Sequence, residues 1–199
     1  MAHVAVIKRV FAIGKREVVL NRVACGIIGV SAFVVLTAVG AFVRIHLPFT
    51  PVPITLQTFF VLLAGAILGR KLGSLSQAGY VILGALGLPI FSGALGGISR
   101  LAGPTGGYLV GFVVAAWVVG GIIRKNSQSS FFRIVLAMLA GNLIIHALGA
   151  AWLSIVIHVG IWKALLLGVF PFIPGDTIKL LAAASLYHGI QGRCKEIYP

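Results

Sequence analysis

The chain has 199 residues, 59% hydrophobic and 10% charged, with 16 Lys and Arg against 3 Asp and Glu and a formal net charge of +13. A soluble domain carries about 25% charged residues, and a mean hydropathy of +1.09 excludes that class. Nucleic-acid binding is also disfavoured, because the cations fall in short clusters between apolar runs and form no basic stripe.

In chain order, residues 1–19 are basic but lack the apolar core and small-residue cleavage site of a signal peptide. They read as a cytoplasmic N-terminal lead-in at the membrane surface. Uncharged stretches then cover 23–43, 72–99, 101–123 and 134–162. A bilayer core takes about 20 apolar residues per helix, whereas the alternating ten-residue segments of a membrane barrel are absent. The fold class expected is an all-α integral membrane protein. Six transmembrane helices are predicted over 20–44, 54–70, 73–89, 107–124, 131–159 and 175–192, within a single domain 20–192. Residues 193–199 form a cytoplasmic tail. The second, third and sixth helices are short. At about 1.5 Å per residue, sixteen residues cover only ~24 Å, so buried non-helical segments are expected to fill the remaining depth.

Six crossings put both termini on one side, and the cations choose that side. Lys8, Arg9, Lys15, Arg16, Arg22, Arg70, Lys71, Arg124, Lys125, Arg133, Arg193 and Lys195 fall on the terminal side, against Arg44, Arg100, Lys163 and Lys179 elsewhere. Both termini are therefore expected in the cytoplasm, with attraction to anionic membrane lipid as a secondary effect. Cys25 and Cys194 lie near cytoplasmic helix ends, so neither a disulfide nor a metal site is expected. The outer connections, 44–57, 88–108 and 160–176, hold seven of the eight prolines yet remain mostly apolar. A solvated loop would be polar. These segments read as structured caps over a pocket that opens outward.

The stretch "FIPGDTIKLLAAA" carries Asp176, the one acid near an outer loop, with Lys179 three positions on and hence on the same helical face. One reading is a helix cap with an internal ion pair. The other adds ligand contact, since ionisable groups within a membrane are functional candidates. Asn142 and His146, four apart, share a face of the fifth helix. Asn142 is a ligand candidate or a helix–helix hydrogen bond, and His146 is weighted to helix contact. His46 and His158 read as loop or interface residues. Thr55 and Gln57 follow the "PFTPVP" loop. "GPTGGY" offers Gly106 and backbone N–H groups at a helix start, and Tyr108 and Phe91 are candidate ring walls. Arg44 and Arg100 are outer cations able to hold an anionic tail. No catalytic set appears: H-E-x-x-H, G-x-S-x-G and the nucleotide P-loop are all missing. No enzymatic activity, cofactor or metal is expected.

Four motifs in order, "PFTPVPITLQTFFVLLAG", "GLPIFSGALGG", "GPTGGYLVGF" and "PGDTIK", resemble the BioY family over roughly residues 20–190. These are the biotin-specific substrate-binding (S) components of energy-coupling factor (ECF) transporters. The resemblance implies six helices with biotin bound near the outer face under three loops, in the cytoplasmic membrane of a bacterium. It implies a partner module of one transmembrane scaffold protein and two cytoplasmic ATPases, which would supply the ATP hydrolysis this chain lacks. It also implies that the S component topples in the membrane to release its cargo inside. Carried onto this chain, it places Asp176, Lys179 and Asn142 around the ureido ring. Gln57, Thr55, Tyr80, Gly106 and Tyr108 form a second tier, Phe91 and Tyr108 line the apolar wall, and Arg44 ranks ahead of Arg100 for the carboxylate. The family couples to its scaffold through small residues on the first helix. Here Ala24, Gly29, Ala32, Ala38 and Ala41 are present without an A-x-x-x-A pattern. Competing readings are an S component for another vitamin and a stand-alone proton-coupled secondary carrier using Asp176.

Overall fold

The computed structural model describes residues 2–123 and 129–197, with side chains over 22–123 and 129–194. Of the cations assigned above to the terminal side, Lys8, Arg9, Lys15, Arg16, Arg124, Lys125 and Lys195 lie outside that description of side chains. The elements in order are α1 (Ala2–Phe42), β1 (Arg44–Ile45), β2 (Ile54–Thr55), α2 (Gln57–Ala85), α3 (Ile98–Ala102), α4 (Gly106–Ile123), α5 (Phe131–Val156), α6 (Ile161–Gly168), a 3-10 turn (Phe170–Phe172) and α7 (Ile173–Ile197).

Five segments among the described residues are long and apolar enough to cross a membrane: Arg22–Phe42, Gln57–Ala85, Gly106–Ile123, Phe131–Val156 and Ile161–Cys194. The second supplies two crossings. In a straight helix Gln57 and Tyr80 would stand about 34 Å apart, yet Gln57 Nε2 donates to Tyr80 Oη at 2.7 Å. α2 is therefore a helical hairpin of two arms, 57–68 and 70–85. Its turn is Gly69, at φ 77° and ψ −175°, a conformation essentially closed to residues with a Cβ. The six-helix expectation holds, and the molecule is a multi-pass membrane protein.

Small residues let the hairpin close. A Cβ on Gly73 would press on the backbone of Ala64 and Gly65, and one on Gly65 on the backbone of Ala116. At the turn, the Arg70 guanidinium lies over the Trp117 ring, 3.4 Å from its centroid. α2 packs on α1, α4 and α7, and α5 packs on α4, α6 and α7. One apolar cluster fills the half nearer the termini, around Leu62, Leu68, Ile123, Met138 and Tyr187. A second fills the other half, around Tyr80, Phe91, Phe112, Ile145 and Phe172. The outward faces remain apolar: Ile27, Ile28, Val35 and Phe42 on α1, and Leu143 and Ile155 on α5, are exposed. That pattern suits contact with lipid tails.

Several boundaries differ from expectation: the second arm of α2 ends at Ala85 rather than 89, and α7 runs to Ile197, through most of the expected tail 193–199. α1 is continuous from Ala2 rather than beginning near residue 20, because nothing in "KREVVLNR" breaks a helix. α5 stops at Val156, where His158 takes a positive φ of 52°. The three apolar, Pro-rich connections are structured, as expected. The first is an antiparallel pair joining Arg44 to Thr55 and Ile45 to Ile54. The second holds α3 and a bridge between Phe91 and Leu95, and the third holds α6 and the 3-10 turn.

Gly69→Ala is expected to destabilise the fold by about 1–3 kcal/mol, the scale of a residue forced into such a conformation. A lowered unfolding midpoint in detergent would show it. An unchanged midpoint would remove the turn from the account of the hairpin.

Candidate functional site

At the end of the bundle remote from the termini, the three connections cover a cavity of ≈ 170 Å³. Its floor is polar. Asp176, in the first turn of α7, is only 4% exposed. Pro174 is the second residue of that helix, within the first turn, where a missing N–H leaves no intrahelical bond unmade. The carboxylate does not cap the helix; its partners are side chains from three elements. His146 of α5 reaches Oδ2 through Nε2 at 2.7 Å, and Thr58 of α2 donates Oγ1–H to Oδ1 at 3.2 Å. Lys179, one turn further along α7, forms an ion pair with Oδ1. The ion-pair part of the sequence reading is present, and the cap is not.

From Lys179 the polar contacts run on without a break. Its Nζ donates to the Thr55 carbonyl at 2.8 Å. Thr55 Oγ1 donates to Gln57 Oε1 at 3.1 Å, and Gln57 Nε2 to Tyr80 Oη. Tyr80 Oη donates in turn to the Ile90 carbonyl at 3.0 Å. One network thus joins α7, the β hairpin, both arms of α2 and the second connection. The walls are apolar: Val52, Phe91, Leu109, Phe112, Ile145 and Phe172 line the cavity. Tyr108 lines it too, with Oη donating to the Gly168 carbonyl at 2.7 Å. Its ring fits there because Gly149 and Gly168 present no side chain; a Cβ on either would overlap it. Arg44 and Arg100 stand exposed at the rim, and neither forms an ion pair among the described residues. Three cations (Arg44, Arg100, Lys179) against one carboxylate leave the lining with a formal excess of two positive charges.

Of the residues singled out from the sequence, Asp176, Lys179, Thr55, Gln57, Arg44, Phe91 and Tyr108 line this one cavity. Three do not. Tyr80 is fully buried behind Gln57 and supports it. Gly106 packs against the Leu101 carbonyl and Trp152. The amides of Gly106 and Tyr108 already donate to Gly103 and Thr105, so those two N–H groups are not open to an anion. Asn142 is buried one turn from His146, with Oδ1 lacking a partner among the described residues. The sequence reading left out Thr58 and weighted His146 and His46 to helix or loop contact, yet all three line the cavity. For His146 a signal existed, since it shares a helical face with Asn142. No cluster of three His, Cys, Asp or Glu able to hold a metal occurs among the described residues.

This arrangement accepts a ligand with three properties. A neutral head with both N–H and C=O groups meets Asp176, Thr58 and Lys179. An apolar middle meets the rings, and an anionic tail meets the exposed guanidinium groups.

Comparison with known proteins gives a consistent picture. The model of the BioY family matches residues 15–196. A protein described as a probable biotin transporter BioY, from Pyrococcus horikoshii, is 45% identical over 82% of this chain and 94% of its own length. The biotin transporter BioY of Thermotoga maritima is 47% identical over 76% of this chain and 87% of its own. The crystal structure of an S-component for biotin from an ECF-type ABC transporter superposes with a TM-score of 0.81 at 27% identity, covering 86% of this chain and 93% of that one.

The floor of the cavity makes a prediction about stability. Lys179→Met strands a buried carboxylate, whereas Asp176→Asn together with Lys179→Met removes both charges. The double variant is expected to lose less stability than the sum of the singles, with a coupling of about 0.5–3 kcal/mol. Unfolding midpoints of the four proteins in one detergent measure it, and additive losses would count against the pair.

Proposed function

The chain belongs to the BioY family, and we propose that it is an S component that captures biotin for ATP-driven uptake across the cytoplasmic membrane. The observation that carries this reading is the cavity with a buried Asp176–Lys179 pair at its floor and two exposed arginines at its rim. Biotin has the matching sequence of groups: a ureido ring, a sulfur ring with an alkyl chain, and a carboxylate. Asp176 accepts a ureido N–H, and Lys179 donates to the ureido carbonyl. Phe91 and Tyr108 flank the sulfur ring. Arg44 takes the carboxylate, with its guanidinium resting on Gly93 and a charge-assisted bond available. Thr55, Gln57 and Tyr80 hold the floor in place, and Gly106 sets the start of the helix that carries Tyr108. Asn142, behind the wall, acts through α5 rather than by direct contact.

The role is transport rather than catalysis, in keeping with the names of the relatives. The solved relative is described as part of an ECF-type ABC transporter. On this reading the partner module comprises one transmembrane scaffold protein and two cytoplasmic ATPases. The twelve-to-four bias of cations supports a cytoplasmic location for both termini, for the lead-in 1–19 and for the tail 193–199.

Calorimetry in detergent is expected to give a dissociation constant for biotin in the nanomolar class. Asp176→Asn or Lys179→Ala should weaken binding at least tenfold, ~1.4 kcal/mol. Undetectable binding of biotin would overturn the proposal. A second titration assigns the rim. Arg44→Ala is expected to weaken binding of biotin about tenfold while leaving biotin methyl ester within about threefold, because only the free acid offers a charge-assisted partner. Equal losses for acid and ester would shift the role to Arg100.

A further inference from the structure

Asp176 makes more contacts than a binding carboxylate needs, and their distribution is informative. An ionised carboxylate has about four lone-pair positions, two on each oxygen. Oδ1 is occupied twice, by Thr58 and Lys179, whereas Oδ2 is occupied once, by His146. The acceptor site left for a ligand N–H is therefore the second lone pair of Oδ2, on the oxygen that the imidazole holds.

The three partners differ in what they fix. A threonine hydroxyl rotates, and a lysine ammonium is a point charge with rotatable donors. Neither defines the plane of the carboxylate, and χ2 of an aspartate is intrinsically broad. The imidazole is planar and 8% exposed, and its ring lies beside Phe172 at 6.3 Å between centroids. Because Oδ2 only accepts, Nε2 must carry the proton. Nδ1 is buried without a partner among the described residues, so the ring has one directional tie, and it leads to Asp176.

We propose that His146 is a positioning residue for ligand capture: it sets the plane of the Asp176 carboxylate so that the open lone pair of Oδ2 meets a ureido N–H. The inference rests on the biotin reading above and adds a residue that touches the ligand's acceptor rather than the ligand. It makes the contribution of His146 conditional on the carboxylate. Without His146, Asp176 swings toward Lys179 and its acceptor is lost. Without the carboxylate, His146 has nothing to orient.

The test is a double-mutant cycle on biotin binding by the full chain in detergent, with the wild type, His146→Leu, Asp176→Asn and the double variant. His146→Leu is expected to weaken binding about tenfold in the wild type, yet by less than about threefold on top of Asp176→Asn, the non-additivity of residues acting as one unit. His146→Gln, whose amide supplies an N–H without the imidazole ring, is expected to stay within about threefold of the wild type. Binding by His146→Leu equal to that of the wild type would overturn the proposal. So would the same fold loss in both backgrounds, which marks a structural role only, or a glutamine variant as weak as the leucine one. If His146→Leu does not fold, the glutamine variant decides alone, and a loss beyond tenfold there counts against positioning. Wild-type protein that binds no biotin would instead overturn the preceding reading, and this inference with it.

Discussion

A carboxylate within a lipid-embedded bundle is costly unless paired and hydrogen-bonded, and here one such group organises the end of the molecule that holds the cavity. Asp176 is compensated from α2 by Thr58, from α5 by His146 and from its own helix by Lys179. Satisfying the charge therefore also docks three helices, and Lys179 extends the tie to the β hairpin through the Thr55 carbonyl. The floor of the cavity and the packing of this end of the bundle are one set of contacts. A substitution that empties the site of charge would relax the helix arrangement as well, which is why affinity and stability must be measured separately.

Length is the second constraint. The arms of α2 hold 12 and 16 residues, about 18 and 24 Å, while the hydrocarbon core is about 30 Å thick. Backbone that is not helical survives at membrane depth only where it is buried in protein or lines a cavity. The three connections meet that condition. The β pair satisfies its own strand groups, Phe91 and Leu95 bridge each other, and the Gly168 carbonyl is taken by Tyr108. The shortness of α2 thus leaves room for a cavity, and the apolar composition of the connections lets them roof it.

These properties set what was legible in the sequence. Long uncharged runs gave the helices, and the break predicted between 54–70 and 73–89 lies close to the turn observed at Gly69. The apolar, Pro-rich connections announced structured loops, since solvated ones would be polar. Asp176 stood out because acids are so scarce. The pairing of Asp176 with His146, thirty positions apart, was not legible. Periodicity assigned Asn142 and His146 to one face of α5 but said nothing of which turn lies level with α7. That level depends on how far each helix is shifted along its axis, a property of packing rather than pattern. The start of α1 was missed for a related reason, as charged residues end an apolar run without ending a helix.

The distribution of charge along the cavity also bears on what the site excludes. The floor holds one acid and one base in contact, so it is nearly neutral as a unit, and a ligand with a charged head would have to break that pair to enter. The rim holds two arginines with no acid among the described residues to balance them. They are exposed and hydrated, so their attraction is screened over roughly 8–10 Å at physiological salt and acts on a tail only when it arrives. A cationic vitamin meets repulsion at the rim and no free acid below. A neutral molecule passes the rim but gains nothing there. The anion with an uncharged hydrogen-bonding head gains at both ends, and the two gains are separated by the apolar wall. On the biotin reading, that separation would set the direction in which the ligand lies, with its head at Asp176 in the first turn of α7 and its tail toward Arg44 and Arg100.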